Sequence, residues 1–317
     1  MSTKLIPSLC PYCAVGCGLY LVVDKGKATG IEYMTEHPTS EGALCPKGNA
    51  VLEILNHEER LKYPMKKVGD GFVRISWDEA LDMIAQGMTR NIRKHGAKSL
   101  GFLASSRCNN EENYLMEKMA RLLGSPHVDN CARLCHSPTV VGLGAVFGTG
   151  AMTNNLLDLE NSKCIFAIGT NFTEAHPIVT RWVQKAKDNG ALVIVADQRI
   201  TSTSWMADIH LRIKPGSDID LLRGMMKVIV ESGLADEEFL GSRTVGVEDL
   251  LQSLKDYTLE EAAKKTEVPA GDIIRAAKAY AISPASALLW QRQKPGLLRR
   301  SSLAWSSCRS TTMARTS

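Results

Sequence analysis

Lys163-Cys164-Ile165-Phe166-Ala167-Ile168 and Ala191-Leu192-Val193-Ile194-Val195-Ala196-Asp197 are the stretches that decide the fold. Each is a short, nearly continuous apolar run of strand length. Such runs are typical of strands buried on both faces of a parallel sheet, whereas half-buried strands alternate apolar and polar residues. A helix is predicted between them, from about Pro177 to Asp188. Strands separated by a helix predict a βαβ unit.

Predicted strands and helices also alternate before and after this unit. Strands are predicted at residues 99–104 and 209–213, each followed by a helix, at about 111–123 and 218–232. Ser76 and Glu79 form a capping box that opens a helix to about Lys94. Residues 233–283 look mostly helical, and a buried strand begins at Ser286. The predicted fold class is α/β: a small cysteine-rich domain (residues 1–62), then a doubly wound, mainly parallel α/β domain (residues 63–290).

Residues 291–317 do not continue this pattern. They carry six basic residues and no acidic one, whereas the net charge of the whole chain is +4. Residues 1–290 therefore hold 32 basic against 34 acidic residues, a net charge of −2. A disordered tail is one interpretation. A frame-shifted or truncated reading of a longer gene is favoured, because the tail interrupts a strand that has just begun.

Composition and the first residues limit the class of protein. Apolar residues make up 44% of the chain and charged residues 23%, as in ordinary globular domains. No run approaches the 18 apolar residues of a membrane-spanning helix. The N-terminus resembles neither a secretory signal nor a twin-arginine signal, so a cytoplasmic location is expected. Because residues 1–290 carry a net charge of −2, the chain is not expected to bind nucleic acid or a membrane surface.

Four of the nine cysteines lie within the first 45 residues, at Cys10, Cys13, Cys17 and Cys45. Three thiols on one loop and a distant fourth suit an iron–sulfur cluster. A zinc site more often has two pairs of cysteines, and remains the alternative. Lys47 follows the fourth cysteine. It is either an ordinary solvated lysine or a positive charge beside the cluster on the path of electrons.

Cys135 and His136 form a second candidate site. Ser137 is suited to cap a following helix and Pro138 to lie in its first turn, so Cys135 is expected just before the helix start. The helix N-terminus and an adjacent imidazole both favour a thiolate, the form that binds metals. A buried cysteine beside a hydrogen-bonded histidine is the alternative.

Three loops are candidates for binding a nucleotide, because they follow predicted strands and precede polar or helical segments. Each also has a simpler interpretation, as a plain turn or a helix cap. The candidate residues are Gly169, Thr170, Asn171 and Glu174 in the first loop, Asp197, Gln198 and Arg199 in the second, and Gly216, Ser217 and Asp218 in the third.

Three motifs together carry a family resemblance. They are Cys10-Pro11-Tyr12-Cys13-Ala14-Val15-Gly16-Cys17, Gly42-Ala43-Leu44-Cys45-Pro46-Lys47-Gly48 and Cys131-Ala132-Arg133-Leu134-Cys135-His136-Ser137-Pro138. Over residues 9–290 the sequence resembles the molybdopterin oxidoreductase family, and within it the alpha subunits of formate dehydrogenases. Nitrate reductases are similar here but usually have Met after the ligand cysteine, so His136 favours formate.

The resemblance implies cofactors and roles for these residues. Cys10, Cys13, Cys17 and Cys45 would hold a [4Fe-4S] cluster, and Lys47 would lie between it and one pterin. Cys135 would bind molybdenum or tungsten, and His136 would handle a proton. The three loops would bind a bis(molybdopterin guanine dinucleotide) cofactor, and Arg107 its pterin part.

The implied activity is the two-electron oxidation of formate to CO2, with electrons leaving through the cluster to a partner subunit of the iron–sulfur or flavin type. The alternatives are another molybdopterin oxidoreductase, such as a nitrate reductase, and a truncated iron–sulfur module that only transfers electrons.

Overall fold

The chain divides into two compact units, Met1–Cys135 and His136–Ser317. The computed structural model describes residues 3–150, 152 and 154–290. The side chain of Cys135 and the predicted basic tail, residues 291–317, lie outside the described residues. The domain boundary expected after residue 62 stays a prediction.

The first unit begins with a three-stranded antiparallel sheet, in the order β1-β2-β3. Strands β2 and β3 form a hairpin, and β1, which was not predicted, pairs with β2. Pro7 in β1 lacks an N–H, and it is tolerated because β1 lies at the sheet edge. Two short helices and a second hairpin follow. The elements are β1 (Lys4–Leu9), β2 (Gly18–Asp24), β3 (Lys27–Tyr33), α1 (Pro46–Asn49), α2 (Val51–Asn56), β4 (Met65–Val68) and β5 (Gly71–Arg74).

The rest of this unit contains a βαβ unit, with β6 and β7 paired in parallel. Its elements are α3 (Trp77–His95), β6 (Gly101–Ala104), α4 (Asn110–Leu122) and β7 (His127–Asn130), and α5 (Ala132–Phe147) crosses the boundary between the units. Ser76 caps α3 by accepting a hydrogen bond from the Glu79 N–H. Asn109 and Glu112 form a reciprocal capping box at the start of α4.

The second unit is built on a four-stranded parallel sheet, in the order β10-β9-β8-β11. Its helix α7 has the bounds predicted for the crossover. The elements are β8 (Cys164–Ile168), α6 (Phe172–Ala175), α7 (Pro177–Asp188), β9 (Leu192–Ala196), β10 (Ile209–Leu211), α8 (Asp218–Glu231), α9 (Glu237–Arg243), α10 (Val247–Lys255), α11 (Leu259–Thr266), α12 (Ala270–Ile282) and β11 (Ser286–Trp290).

Both faces of this sheet are buried, which confirms the predicted α/β class. Phe166 and Ile194 pack in the same cluster as residues of α8 and α12. The alternate residues Ile165 and Val193 point to the opposite face and are also fully buried. Among the described residues, no helix has both the length and the apolarity needed to cross a membrane.

The order of strands creates a switch point beside β8. The chain runs from β8 to β9 and β10 on one side, and then returns to place β11 on the other side of β8. In open parallel sheets, ligands bind where the strand order reverses, at the carboxyl ends of the strands. The loop that begins with Gly169 lies at this end of β8.

Candidate cluster and cofactor sites

The loop between β1 and β2 carries the first three candidate cluster ligands. The Cys10 N–H donates to the Cys17 carbonyl over 2.9 Å, and the Gly16 N–H donates to the Cys13 carbonyl over 3.2 Å. Gly16 has a φ of +63°, in the left-handed region that favours glycine. These bonds close the chain into a small loop that presents three thiols.

Helix α1 holds the fourth cysteine against this loop. Cys45 occupies the N-cap position, Pro46 begins the helix, and the Asn49 N–H donates to the Cys45 carbonyl over 3.1 Å. A Cβ on Gly48 would lie 3.6 Å from the Cys10 Sγ and 3.3 Å from a Leu44 methyl group. Glycine at this position therefore lets the helix approach Cys10 closely.

The four thiols share one electrostatic environment. Burial, followed by the negative charges of the Cys13, Cys10 and Cys45 thiolates, raises the pKa of Cys17 to about 11. The pKa of Cys10 is also raised, mainly by burial, and the Lys47 ammonium opposes that rise. In the described part of the chain, no three Cys, His, Asp or Glu side chains converge closely enough to hold a single metal ion. The donor set, four thiols beside one cation, fits an anionic iron–sulfur cluster.

A second group of side chains lies at the carboxyl ends of β6 and β7. Cys131 follows β7, and its Sγ accepts a hydrogen bond from the Ser106 N–H over 3.2 Å and lies 3.2 Å from the Ser106 hydroxyl. Hydrogen bonds from Ser106, followed by weaker contributions that include the Arg107 charge, lower the pKa of this exposed thiol. Arg107 thus lies in a polar turn whose Ser106 contacts Cys131, an arrangement that was not predicted.

The helix containing Cys135 begins earlier than expected. Helix α5 starts at Ala132, so Cys135 and His136 lie in its first turns, and Pro138 lies inside it. The prediction that Ser137 caps the helix and that Cys135 precedes it is therefore wrong. The physical reason is that Asn130 accepts a hydrogen bond from the Ala132 N–H over 2.9 Å, which fixes an earlier start. His136 is exposed, and the predicted metal ligand, the Cys135 thiol, lies outside the described residues.

The loops after β8 and β9 are joined by a network of hydroxyl groups. The Thr173 hydroxyl lies 2.9 Å from the Asn171 side-chain oxygen, 2.7 Å from the Ser202 hydroxyl and 2.9 Å from the Thr203 hydroxyl. The Ser202 hydroxyl also donates to Glu174 over 2.9 Å. Hydrogen bonds from Asn171 and Ser202 lower the pKa of Glu174, and the Arg199 charge adds to this effect.

This network brings together residues of two predicted loops, and it includes three that sequence reasoning missed: Thr173, Ser202 and Thr203. The polar run Thr201-Ser202-Thr203-Ser204, in the loop that follows β9, was the available signal. Of the predicted residues, Thr170 and Asp197 are buried. Gly169 has a φ of +58°, and its N–H donates to the Ala196 carbonyl over 2.9 Å. Gln198 lies on the exposed surface, and its carbonyl accepts from the Arg212 guanidinium over 3.4 Å.

The third predicted loop interacts electrostatically with the second through its carboxylate. Burial raises the pKa of Asp218, and the negative charge of Asp197 raises it further. Asp197 also accepts a hydrogen bond from the Arg199 N–H over 2.8 Å. The two carboxylates therefore lie within electrostatic range of each other, in the loops that follow β9 and β10. This arrangement suits a ligand that offers several N–H or O–H donors.

Two family models together match nearly the whole chain. Residues 3–57 match the molybdopterin oxidoreductase Fe4S4 domain, and residues 60–299 match the molybdopterin oxidoreductase family. Among solved structures, acetylene hydratase from Pelobacter acetylenicus is similar with a TM-score of 0.80 and 29% sequence identity. The match covers 94% of this chain and 41% of that one.

Several curated relatives are similar in sequence. The F420-dependent formate dehydrogenase 2 subunit alpha of Methanococcus maripaludis is 41% identical over 288 residues, which cover 90% of this chain and 42% of the relative. Formate dehydrogenase H of Escherichia coli is 40% identical, with 90% and 41% covered. The assimilatory nitrate reductase catalytic subunit of Bacillus subtilis is 37% identical, with 88% and 40% covered. The chain thus spans about two fifths of the length of these relatives.

Proposed function

Because this chain belongs to the molybdopterin oxidoreductase family, with an Fe4S4 domain before the molybdopterin domain, we propose that it acts in the oxidation of formate to CO2 as the catalytic subunit of a formate dehydrogenase. The observation that carries this proposal is the 40–41% identity to formate dehydrogenases across about 90% of the chain. The nitrate reductase is similar at a somewhat lower identity, so reduction of nitrate is the competing activity.

Cys10, Cys13, Cys17 and Cys45 would hold a [4Fe-4S] cluster. The closed loop, the approach of α1 at Gly48 and the shared electrostatics of the four thiols support this assignment. Because thiolates and not thiols bind iron, the raised pKa values mean that protons leave Cys10 and Cys17 when the cluster is inserted. The Lys47 ammonium would stabilise the more negative, reduced cluster and so favour its acceptance of electrons.

The three loops of the second unit would hold the guanine nucleotide end of a bis(molybdopterin guanine dinucleotide). Asp197 and Asp218 would accept hydrogen bonds from ribose hydroxyls or guanine N–H groups. The network around Asn171, together with Gly169 and Thr170, would orient the loop that follows β8, and Gly216 with Ser217 would form a tight turn beside the ligand. Arg107 would offer a positive charge to the pterin part.

Cys135 would bind molybdenum or tungsten, and the bound metal would supply the two-electron chemistry. His136, which follows directly on α5, would accept the proton released when formate is oxidised. Electrons would leave through the cluster to a partner subunit of the iron–sulfur or flavin type.

The direct test compares two activities of the chain after expression in a host that makes the cofactor. We expect formate-dependent reduction of a viologen dye and no nitrate-dependent oxidation of the reduced dye. Cys135→Ala should abolish dye reduction, whereas Cys108→Ala, which removes another cysteine, should retain it. Retained activity in the Cys135 variant, or activity with nitrate instead of formate, would contradict the proposal.

A second candidate function rests on the cysteine loop, because the four thiols and Lys47 all lie within the first unit of the chain. It is an iron–sulfur module that transfers electrons without catalysis. Iron and sulfide in the purified chain, with neither molybdenum or tungsten nor guanine nucleotide and with no dye reduction, would favour this module.

A further inference from the structure

The turn before α8 has a conformation that its sequence dictates. In Lys214-Pro215-Gly216-Ser217, proline occupies the second position and Gly216 the third, with a φ of +86°. The Ser217 N–H donates to the Lys214 carbonyl over 3.1 Å, and the Ser217 hydroxyl donates to the same oxygen over 2.7 Å. These features define a type II turn. The turn carries two residues of the proposed nucleotide site and leads directly to the third, Asp218.

The end of α11 holds the first residue of this turn. The Lys214 N–H donates to the Thr266 carbonyl over 2.8 Å, and the Lys214 ammonium lies 2.8 Å from a Glu267 carboxylate oxygen. Thr266 is completely buried, and its hydroxyl donates to the Ala262 carbonyl over 2.7 Å. The Thr266 carbonyl is therefore a fixed acceptor.

A second anchor holds the first turn of α8, on the other side of Ser217. The Tyr257 hydroxyl, in a side chain that is only 2% exposed, donates to Asp220 Oδ1 over 3.0 Å. The Lys265 ammonium lies 3.4 Å from the same oxygen. Residues 257–267 thus contact the chain both before and after the Gly216 turn.

Close packing makes this support rigid. A Cβ on Gly224 of α8 would lie 2.7 Å from the Ala262 Cβ of α11, so the two helices touch where α8 has no side chain. The Arg223 guanidinium also lies over the Tyr257 ring, 3.9 Å from its centroid. Movement of α11 would consequently move the start of α8.

We propose that Tyr257 and α11 form a clamp that fixes the Lys214–Ser217 turn and the first turn of α8 in the geometry that binds the guanine nucleotide. Tyr257, Lys265 and Thr266 are positioning residues, since they act through Lys214 and Asp220 and need not touch the ligand. This inference rests on the proposed function, because the ligand of the turn is the nucleotide assigned there.

The first measurement tests the clamp without any ligand. Hydrogen–deuterium exchange is followed in the full chain for the amides of residues 214–221, in the wild type, Tyr257→Phe and Lys265→Met. We expect these amides to exchange about tenfold faster in Tyr257→Phe than in the wild type, because this variant removes one buried hydrogen bond and keeps the ring. In Lys265→Met the increase in exchange rate should be smaller. Lys265→Arg, which keeps the charge, should restore slow exchange.

A matched control comes from the same helix. The Lys227 ammonium of α8 donates to the Leu254 and Lys255 carbonyls, each over 3.1 Å. Lys227→Met therefore removes contacts between α8 and the same part of the chain, but far along the helix from the turn. It should lower the unfolding midpoint without changing exchange at residues 214–221.

The second measurement is the affinity of each purified variant for guanosine diphosphate, by calorimetry. We expect about tenfold weaker binding to Tyr257→Phe, and unchanged binding to Lys227→Met. Unchanged exchange at residues 214–221 in Tyr257→Phe would overturn the clamp itself. Faster exchange with unchanged affinity would overturn its role in binding. If the wild type binds no guanosine diphosphate although Tyr257→Phe exchanges faster, the nucleotide assignment of the proposed function fails, and the positioning role fails with it.

Discussion

The hydroxyl of Thr173 lies 2.7 Å from the hydroxyl of Ser202, and this contact joins the loop after β8 to the loop after β9. Both loops lie at the carboxyl ends of neighbouring parallel strands, beside the point where the strand order reverses. The loops at this end of the second unit's sheet are therefore held together by hydroxyl groups and not only by the strands.

Replacing Thr173 with valine tests this network, because valine keeps the shape of the side chain and removes the hydroxyl. We expect Thr173→Val to bind guanosine diphosphate about tenfold more weakly, since Asn171, Ser202 and Thr203 lose a shared partner. Thr244→Val is the matched control, because the Thr244 hydroxyl donates to the Leu240 carbonyl at the end of α9, away from both loops. Equal affinities of the two variants would show that the network does not shape the site.

The paired carboxylates predict a dependence of stability on pH. The pKa of Asp218 is raised above its usual value of 3.8 by burial and by Asp197. The neutral carboxyl group of Asp218 therefore stabilises the folded state fully below pH 3.8. This stabilisation is lost as the pH rises through the pKa that Asp218 has in the folded state. At pH 7, Asp218→Asn should raise the unfolding midpoint by about 1–3 °C while weakening nucleotide binding.

This difference in midpoint between Asp218→Asn and the wild type should shrink as the pH falls toward about 3.5. Thermal unfolding followed by circular dichroism across that range measures it. A difference that is the same at every pH, or a destabilised variant at pH 7, would contradict the explanation.

Two cysteines outside the candidate cluster should differ strongly in reactivity. Burial raises the pKa of Cys164 to about 12, whereas hydrogen bonds from Ser106 lower the pKa of the exposed Cys131. Because the thiolate is the reactive form, iodoacetamide at pH 7.5 should alkylate Cys131 at least about 100-fold faster than Cys164. Peptide mass spectrometry over time measures both rates, and the unfolded chain, in which they should become similar, is the control.

The close contact between α8 and α11 predicts the effect of one added methyl group. Gly224→Ala places a Cβ 2.7 Å from that of Ala262 and should lower the free energy of unfolding by about 1–3 kcal/mol. Gly271→Ala in α12 meets nothing within 4 Å, so it should be neutral or slightly stabilising. Urea unfolding measures the free energy of unfolding of both variants. Equal changes in Gly224→Ala and Gly271→Ala would mean that α8 and α11 can move apart without loss of stability.

The parallel sheet of the second unit was predictable because its strands are short apolar runs and its helices have strong local signals. Pro177 starts α7 and Pro269 caps α12, so both helix starts were visible in the sequence. Strand β1 was missed, because Lys4–Leu9 is mostly exposed and contains a proline, and its pairing with β2 is a tertiary contact.

The start of α5 was mispredicted for a related reason. Ser137 and Pro138 have the chemistry of a helix start, but Asn130 caps the chain earlier, and local signals cannot decide between two competing caps. The roles of Thr173, Tyr257 and Lys265 depend on partners that lie 29, 37 and 45 residues away. No local pattern shows such contacts.

The proposed function requires that this chain hold both a four-iron cluster and a guanine nucleotide cofactor. The most direct measurement is the content of iron, sulfide, molybdenum, tungsten and guanine nucleotide in the chain purified without oxygen from a host that makes the cofactor. We expect about four irons and four sulfides per chain, together with molybdenum or tungsten and guanine nucleotide. Cys17→Ser should lose the iron, and Asp218→Asn should lose nucleotide and not iron. One zinc per chain without sulfide, or iron without any guanine nucleotide, would contradict the proposed function.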